Sequence, residues 1–216
     1  MIQRPSLELL IATTNRGKIF EIQVAVSGLP LILRSLDEFP EISTVEEVGT
    51  TYEENAILKA LSYAEKTRLC AIGDDSGLEV TALGGLPGVF SARFGDARAA
   101  DEERTEKLLE ELAGKGLPER GARFVCCIAF AGWKASASPN LAGKPTLLNL
   151  SRGECRGHIA NSARGNNGFG YDPVFVPEGY RGTFAELPAG IKSSISHRAR
   201  ALSDMRMFIK RWIQQT

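Results

Sequence analysis

Apolar residues along this chain follow two spacings. Compact runs of β-type composition occur at Leu7 to Ala12, Leu31 to Leu33, Cys70 to Gly73 and Leu78 to Leu83. A longer run covers Arg123 to Ala131, and a returning one covers about Pro145 to Ile159. Such runs predict buried strands. The last two predict a long hairpin, set apart as a lobe over about residues 120–160 of a single domain covering 1–216. Between them the period lengthens to that of a helix. Ile19, Ile22 and Val26 share one face of a helix that begins near Lys18. Thr51-Tyr52-Glu53-Glu54 has the form of a capping box, and the helix it opens aligns Ile57, Ala60, Leu61 and Ala64. Asp101 caps a helix through Leu108, Leu109 and Leu112 that stops at Gly114. A last helix starts near Ser194 with the stripe Ile195, Ala199, Leu202, Met205, Ile209 and Trp212. Val89 to Phe94 fits either an extended segment or a short helix.

Composition narrows the class. The 216 residues suit one domain, or one domain with a lobe, and are enough to bury a core. With 26 basic and 26 acidic residues the formal charge is zero, so no global field attracts nucleic acid and a polyanion site must be local. Cys70, Cys126, Cys127 and Cys155 include no C-x-x-C pair and read as reduced thiols of a cytosolic protein. No apolar run approaches membrane-spanning length, and no signal peptide is expected ahead of the first strand.

Candidate chemistry gathers at a few stretches. Asp74 and Asp75 follow the Cys70 strand and lead into Ser76-Gly77. Adjacent carboxylates raise one another's pKa unless a cation attends them, and hard oxygens suit Mg²⁺. Asp, Ser and Gly are also turn formers, so a solvated turn fits the same residues. Thr13-Thr14-Asn15-Arg16-Gly17-Lys18 joins a strand to a helix start, where backbone amides and the helix dipole favour phosphate. The glycine spacing of a Walker A loop is absent. Asn55 and Lys59, four apart, share a polar helix face, and Glu46-Glu47 lies in an acidic irregular stretch. Gly168-Phe169-Gly170-Tyr171-Asp172 holds an aromatic suited to stacking on a planar ring. His197 and Arg198 occupy the first turn of the last helix, the positive end of its dipole, with Lys192 just ahead. An electron-rich group such as a keto oxygen or phosphate would suit cations placed there.

In order and spacing these stretches resemble the Ham1-type inosine/xanthosine triphosphate pyrophosphatases. The carriers are Thr13 to Lys18, Glu46-Glu47, Glu54-Asn55-Ala56 through Lys59, Asp74 to Gly77, Gly84-Gly85-Leu86-Pro87-Gly88, Gly168 to Pro173 and Ser196-His197-Arg198. Residues 133–149 depart most from the pattern. The resemblance implies an α/β fold, a curved mixed β-sheet flanked by helices, with two lobes and a central cleft. It implies Mg²⁺-dependent hydrolysis of ITP, dITP or XTP to the monophosphate and pyrophosphate, by a cytoplasmic homodimer without nucleic-acid or membrane partners. In the implied site Asp75, with Asp74 and Lys59, is catalytic, and Asp75 with Glu46 or Glu47 holds the metal. Thr13, Thr14, Asn15, Arg16, Gly17, Lys18 and Ser76 take the phosphates. Phe169, Gly170, Tyr171, Asp172, Lys192, His197 and Arg198 take the base. Two rivals are a Maf-type nucleotide pyrophosphatase of other base preference and a non-catalytic nucleotide-binding protein on the same scaffold.

Overall fold

The computed structural model describes residues 7–95, 99–114, 119–133 and 143–215. Six strands form one mixed sheet in the order β2-β1-β3-β4-β5-β6. They are β1 (Leu7–Ile11), β2 (Leu31–Ser35), β3 (Cys70–Val80), β4 (Gly121–Gly132), β5 (Thr146–Ile159) and β6 (Phe175–Pro177). β1 pairs in parallel with both β2 and β3, and β5 pairs antiparallel with β6. The helices are α1 (Arg16–Val26), α2 (Tyr52–Thr67), α3 (Asp101–Gly114), α4 (Ala189–Ile195) and α5 (His197–Gln215). This is the expected α/β class, with helices packed on a mixed sheet. The loop expected from Trp133 to Lys144 lies outside the described residues over 134–142. No described helix is long and apolar enough to cross a membrane.

The chain divides into two compact units. The first comprises Met1–Asp75, Cys127–Arg152 and Ala201–Thr216, and the second Ser76–Cys126 and Gly153–Arg200. The first unit buries Leu9, Leu10 and Ile11 of β1 with Ile22, Ala56, Ala60 and Ile72. Phe130 there meets the Phe208 and Trp212 rings edge-on at 5.5 and 5.4 Å. In the second unit Leu78, Leu108, Leu112, Phe124, Phe175 and Phe184 share one apolar cluster. Burying side chains of this size stabilises by about 1.5–3 kcal/mol each.

Three expectations about elements are corrected. No turn interrupts Asp74-Asp75-Ser76-Gly77: β3 runs through it for 11 residues, and a 3-10 turn over Thr81–Leu83 follows in place of a separate strand. The buried face of α2 is Asn55, Ala56, Lys59, Ala60, Tyr63 and Ala64, whereas Ile57 and Leu61 are only half-buried. Of the two readings open over Val89 to Phe94, the short helix holds, as a 3-10 helix over Gly88–Arg93. The last helical region is two helices parted at Ser196, whose backbone is extended and whose hydroxyl accepts from the Ala199 amide at 3.1 Å. The capping box at Thr51 is present as expected, with Thr51 and Glu54 exchanging side-chain and backbone bonds.

Candidate active site

In the first unit, register does the first part of the assembly. Ile11 of β1 lies opposite Ile72 of β3 in a parallel pair, and the Ala12 amide continues the ladder to the Ile72 carbonyl at 2.8 Å. The chain therefore leaves β1 alongside the carboxylate pair of β3. Asn15 caps α1, its side chain accepting from the Lys18 amide at 3.0 Å, and Thr13 Oγ1 accepts from the Asn15 amide at 3.2 Å. The cap turns α1 so that Lys18 Nζ reaches Asp74 Oδ1 at 2.6 Å. Thr14 and Arg16 are exposed, and Gly17 is half-buried.

α2 supplies the second cation. Gly73 brings helix and strand together, because a Cβ there would lie 2.2 Å from the Ala56 carbonyl oxygen. Lys59 Nζ then sits 3.1 Å from Asp75 Oδ1 and 2.8 Å from Glu47 Oε1. Asn55 Nδ2 donates to Asp75 Oδ2 at 3.2 Å. At the start of α2, Glu53 is paired with Arg152 of β5. Three carboxylates, Asp74, Asp75 and Glu47, thus share two ammonium groups. Burial, the largest single influence, pulls the Lys59 ammonium down, but Asp75 and Glu47 together hold it above the ordinary lysine range. Burial also dominates at Asp75 and, with repulsion from Glu47, keeps its carboxyl above the ordinary aspartate range despite Lys59 and Lys18. Both directions follow from too few cations for the buried acids.

The same imbalance makes the cluster fit Mg²⁺. This ion uses one or two carboxylates plus substrate phosphate oxygens, so no cage of protein ligands is needed. Among the described residues no group of three metal-ligating side chains is preassembled. Glu46 is exposed, while its neighbour Glu47 turns inward to Lys59.

The second unit holds a different constellation, built on residues 164–173. Gly168 takes a φ of +80°, and a Cβ there would lie 2.0 Å from Asp172 Oδ2, so only glycine fits. Asp172 Oδ2 accepts from the Phe169 amide at 2.8 Å and from Lys192 Nζ at 2.5 Å. Asp101 Oδ2 accepts from the Gly170 amide at 2.6 Å. Phe169 is half-buried, with Lys192 Nζ 4.4 Å and Arg198 Cζ 5.6 Å from its ring centroid. Arg198 Nη2 donates to Ser76 Oγ at 2.7 Å. The His197 ring stacks on Phe124 at 4.6 Å. Tyr171 faces the core instead, its hydroxyl on the Ser91 carbonyl at 3.0 Å and its phenol pushed up by burial. A groove of about 550 Å³ in this unit, lined by Glu79, Arg123, Arg156 and His158 among others, contains none of the sequence candidates.

Two supporting residues escaped the sequence reading of the site. Asn55 carried a signal, since it shares a helix face with Lys59. Asp101 carried none, because its contact with Gly170 spans 69 positions.

Similarity to known proteins covers nearly the whole chain. The Ham1 family matches residues 9–208. A dITP/XTP pyrophosphatase of Bacillus anthracis is 43% identical over 205 residues, covering 95% of this chain and 97% of that protein. One from Geobacter sulfurreducens is 47% identical over 195 residues, covering 90% and 92%. Among solved structures, a HAM1 protein from Coxiella burnetii superposes with a TM-score of 0.83 at 38% identity, covering 95% of this chain and 99% of that one. The Ham1 protein of Staphylococcus aureus gives 0.79 at 37%, covering 94% and 98%.

Proposed function

This chain belongs to the Ham1 family, and from that premise we infer that it hydrolyses non-standard purine nucleoside triphosphates, ITP, dITP and XTP, to the monophosphate and pyrophosphate. The observation that carries the reading is the shared set of Asp74, Asp75 and Glu47 around Lys18 and Lys59. It suits a polyphosphate tail bound with a divalent cation. A Maf-type enzyme does not fit the family match. A silent nucleotide binder would be expected to lack one of these acids or amines.

The roles follow from the chemistry. Lys18 and the loop amides of Thr14, Arg16 and Gly17 take the phosphate tail, on a loop that Thr13 and the Asn15 cap hold in shape. Mg²⁺, held by Asp75 with Glu46 or Glu47, supplies charge neutralisation at the phosphate oxygens when bound. Asp74 and Asp75 act as a coupled pair that shares the metal and proton roles, with Asp75, whose carboxyl is raised, accepting a proton from the attacking water. The water oxygen bonds to the α-phosphorus, the bridge to the β-phosphorus breaks, and pyrophosphate carries off the electron pair. Lys59 holds Asp75 in place and offsets charge as it develops.

Base choice falls to the second constellation. Phe169 stacks on the purine, and Lys192, His197 and Arg198 offer donors to a 6-oxo group. Adenine presents an amino donor there and offers these groups no acceptor, at about 1–3 kcal/mol per group. Ser76 orients phosphate or water. A cytoplasmic homodimer belongs to this reading through the family resemblance, and sedimentation at twice the chain mass checks the dimer.

The test is release of pyrophosphate from ITP, XTP, dITP, GTP and ATP with and without Mg²⁺. Turnover of the first three, dependent on the metal, supports the reading, and equal rates with ATP overturn it. Lys192→Met is expected to narrow the ITP-to-ATP ratio of kcat/KM about tenfold, corresponding to one lost charged hydrogen bond. An unchanged ratio removes Lys192 from base choice.

A further inference from the structure

The acidic segment before α2 is held against that helix by a repeating contact. Val45 donates its amide to the Tyr63 hydroxyl at 3.1 Å. Glu47 meets Lys59 at 2.8 Å. Gly49 donates its amide to Asn55 Oδ1 at 2.8 Å. Every second residue of the segment thus touches every fourth residue of the helix, running in the opposite direction. The two periods match: two residues of extended chain advance about 6.6 Å, and four helical residues about 6 Å. Ser43 lies next along the segment, its carbonyl accepting from Lys66, three residues beyond Tyr63, at 3.3 Å. Exposure alternates with the same period, Val45, Glu47 and Gly49 half-buried, Glu46 and Val48 exposed. Glycine is required at the last rung, since a Cβ at Gly49 would lie 2.6 Å from Asn55 Oδ1.

We propose that Tyr63 and Asn55 are positioning residues that hold the acidic segment in this register, and so decide which glutamate faces Lys59 and which faces away. An extended chain slipped by one residue turns each side chain to the other side. A slip here would exchange Glu46 for Glu47 at the Lys59–Asp75 pair and spoil the carboxylate geometry that the metal needs. Asn55 joins the two halves of that geometry, accepting from Gly49 and donating to Asp75. Tyr63 acts at the far end, touching neither carboxylate. The proposal rests on the metal-dependent reading above.

Tyr63→Phe tests it, because the ring stays and one hydrogen bond goes. Amide hydrogen exchange followed by NMR is expected to accelerate at least tenfold at Val45 and also at Gly49, whose own partner is untouched. Mn²⁺ binding without nucleotide, read by electron paramagnetic resonance, is expected to weaken about three- to tenfold, while Tm falls by no more than about 4 °C. Acceleration confined to Val45 means the rungs are independent and overturns the register. Accelerated Gly49 exchange with unchanged Mn²⁺ affinity overturns the positioning role. A wild-type protein that binds Mn²⁺ but cleaves no ITP defeats the enzymatic reading alone and leaves the exchange result standing.

Discussion

Replacing Asp75 with asparagine is expected to lower kcat for ITP about 10²–10⁴-fold, the range spanned by loss of a positioned general base. The isosteric amide keeps its place beside Asn55 and Lys59 but accepts no proton from water and binds a divalent cation poorly. The fold should survive, and the stability profile should change in a defined direction. In the wild type the folded chain keeps the Asp75 proton to higher pH than the unfolded chain does, because its carboxyl is raised by burial and by Glu47. Stability contributed by this group is therefore present at acid pH and declines as pH rises above the ordinary aspartate range. In Asp75→Asn that decline disappears, so without metal the variant loses less Tm than the wild type between mildly acidic and neutral pH. Initial rates of pyrophosphate release and thermal melts in chelator check both parts. Near-normal release from ITP would remove Asp75 from the chemistry.

Gly73→Ala is expected to cost about 3 kcal/mol and to lower Tm by about 6–12 °C. Two effects of opposite sign meet at this position. Within a strand, alanine is ordinarily favoured over glycine by about 0.5–1 kcal/mol. Against that, the new methyl would stand 2.2 Å from the Ala56 carbonyl and 2.8 Å from the Ala60 amide, both backbone atoms of α2 that cannot swing aside. Packing wins, and the helix must retreat from β3. Because α2 carries Asn55 and Lys59, the retreat also lengthens their contacts with Asp75, and kcat falls along with Tm. A variant melting within about 2 °C of the wild type would show that the strand and helix have room to spare.

Much of the frame could be read in the chain because local signals and tertiary packing agree there. The Thr51–Glu54 box and the runs that became β1 and β4 are of this kind. Where they failed, a long-range contact overrode a local preference. Asp74-Asp75-Ser76-Gly77 has the composition of a turn, yet β3 continues through it. The carboxylates tolerate burial because Lys18 and Lys59 arrive from separate helices, and no window of local sequence contains that information. The face of α2 was misjudged for the same reason. Asn55 and Lys59 are buried polar residues, and what satisfies them is a distant aspartate and an acidic segment. The break at Ser196 had a local cue, a serine able to cap, but an apolar stripe running past it on both sides hid the boundary. The short β6 has only three residues and no period to detect.

If the base docks at Phe169 as proposed, its binding is an exchange, not an addition. Its ring already has an ammonium over it, and that ammonium already has a carboxylate. A purine stacked on that face would displace the Lys192 ammonium from the ring. A ring that brings its own oxygen restores what was taken, whereas one bearing an amino group restores nothing. On the proposed reading, discrimination starts in the resting state, from the contacts that an arriving base must replace.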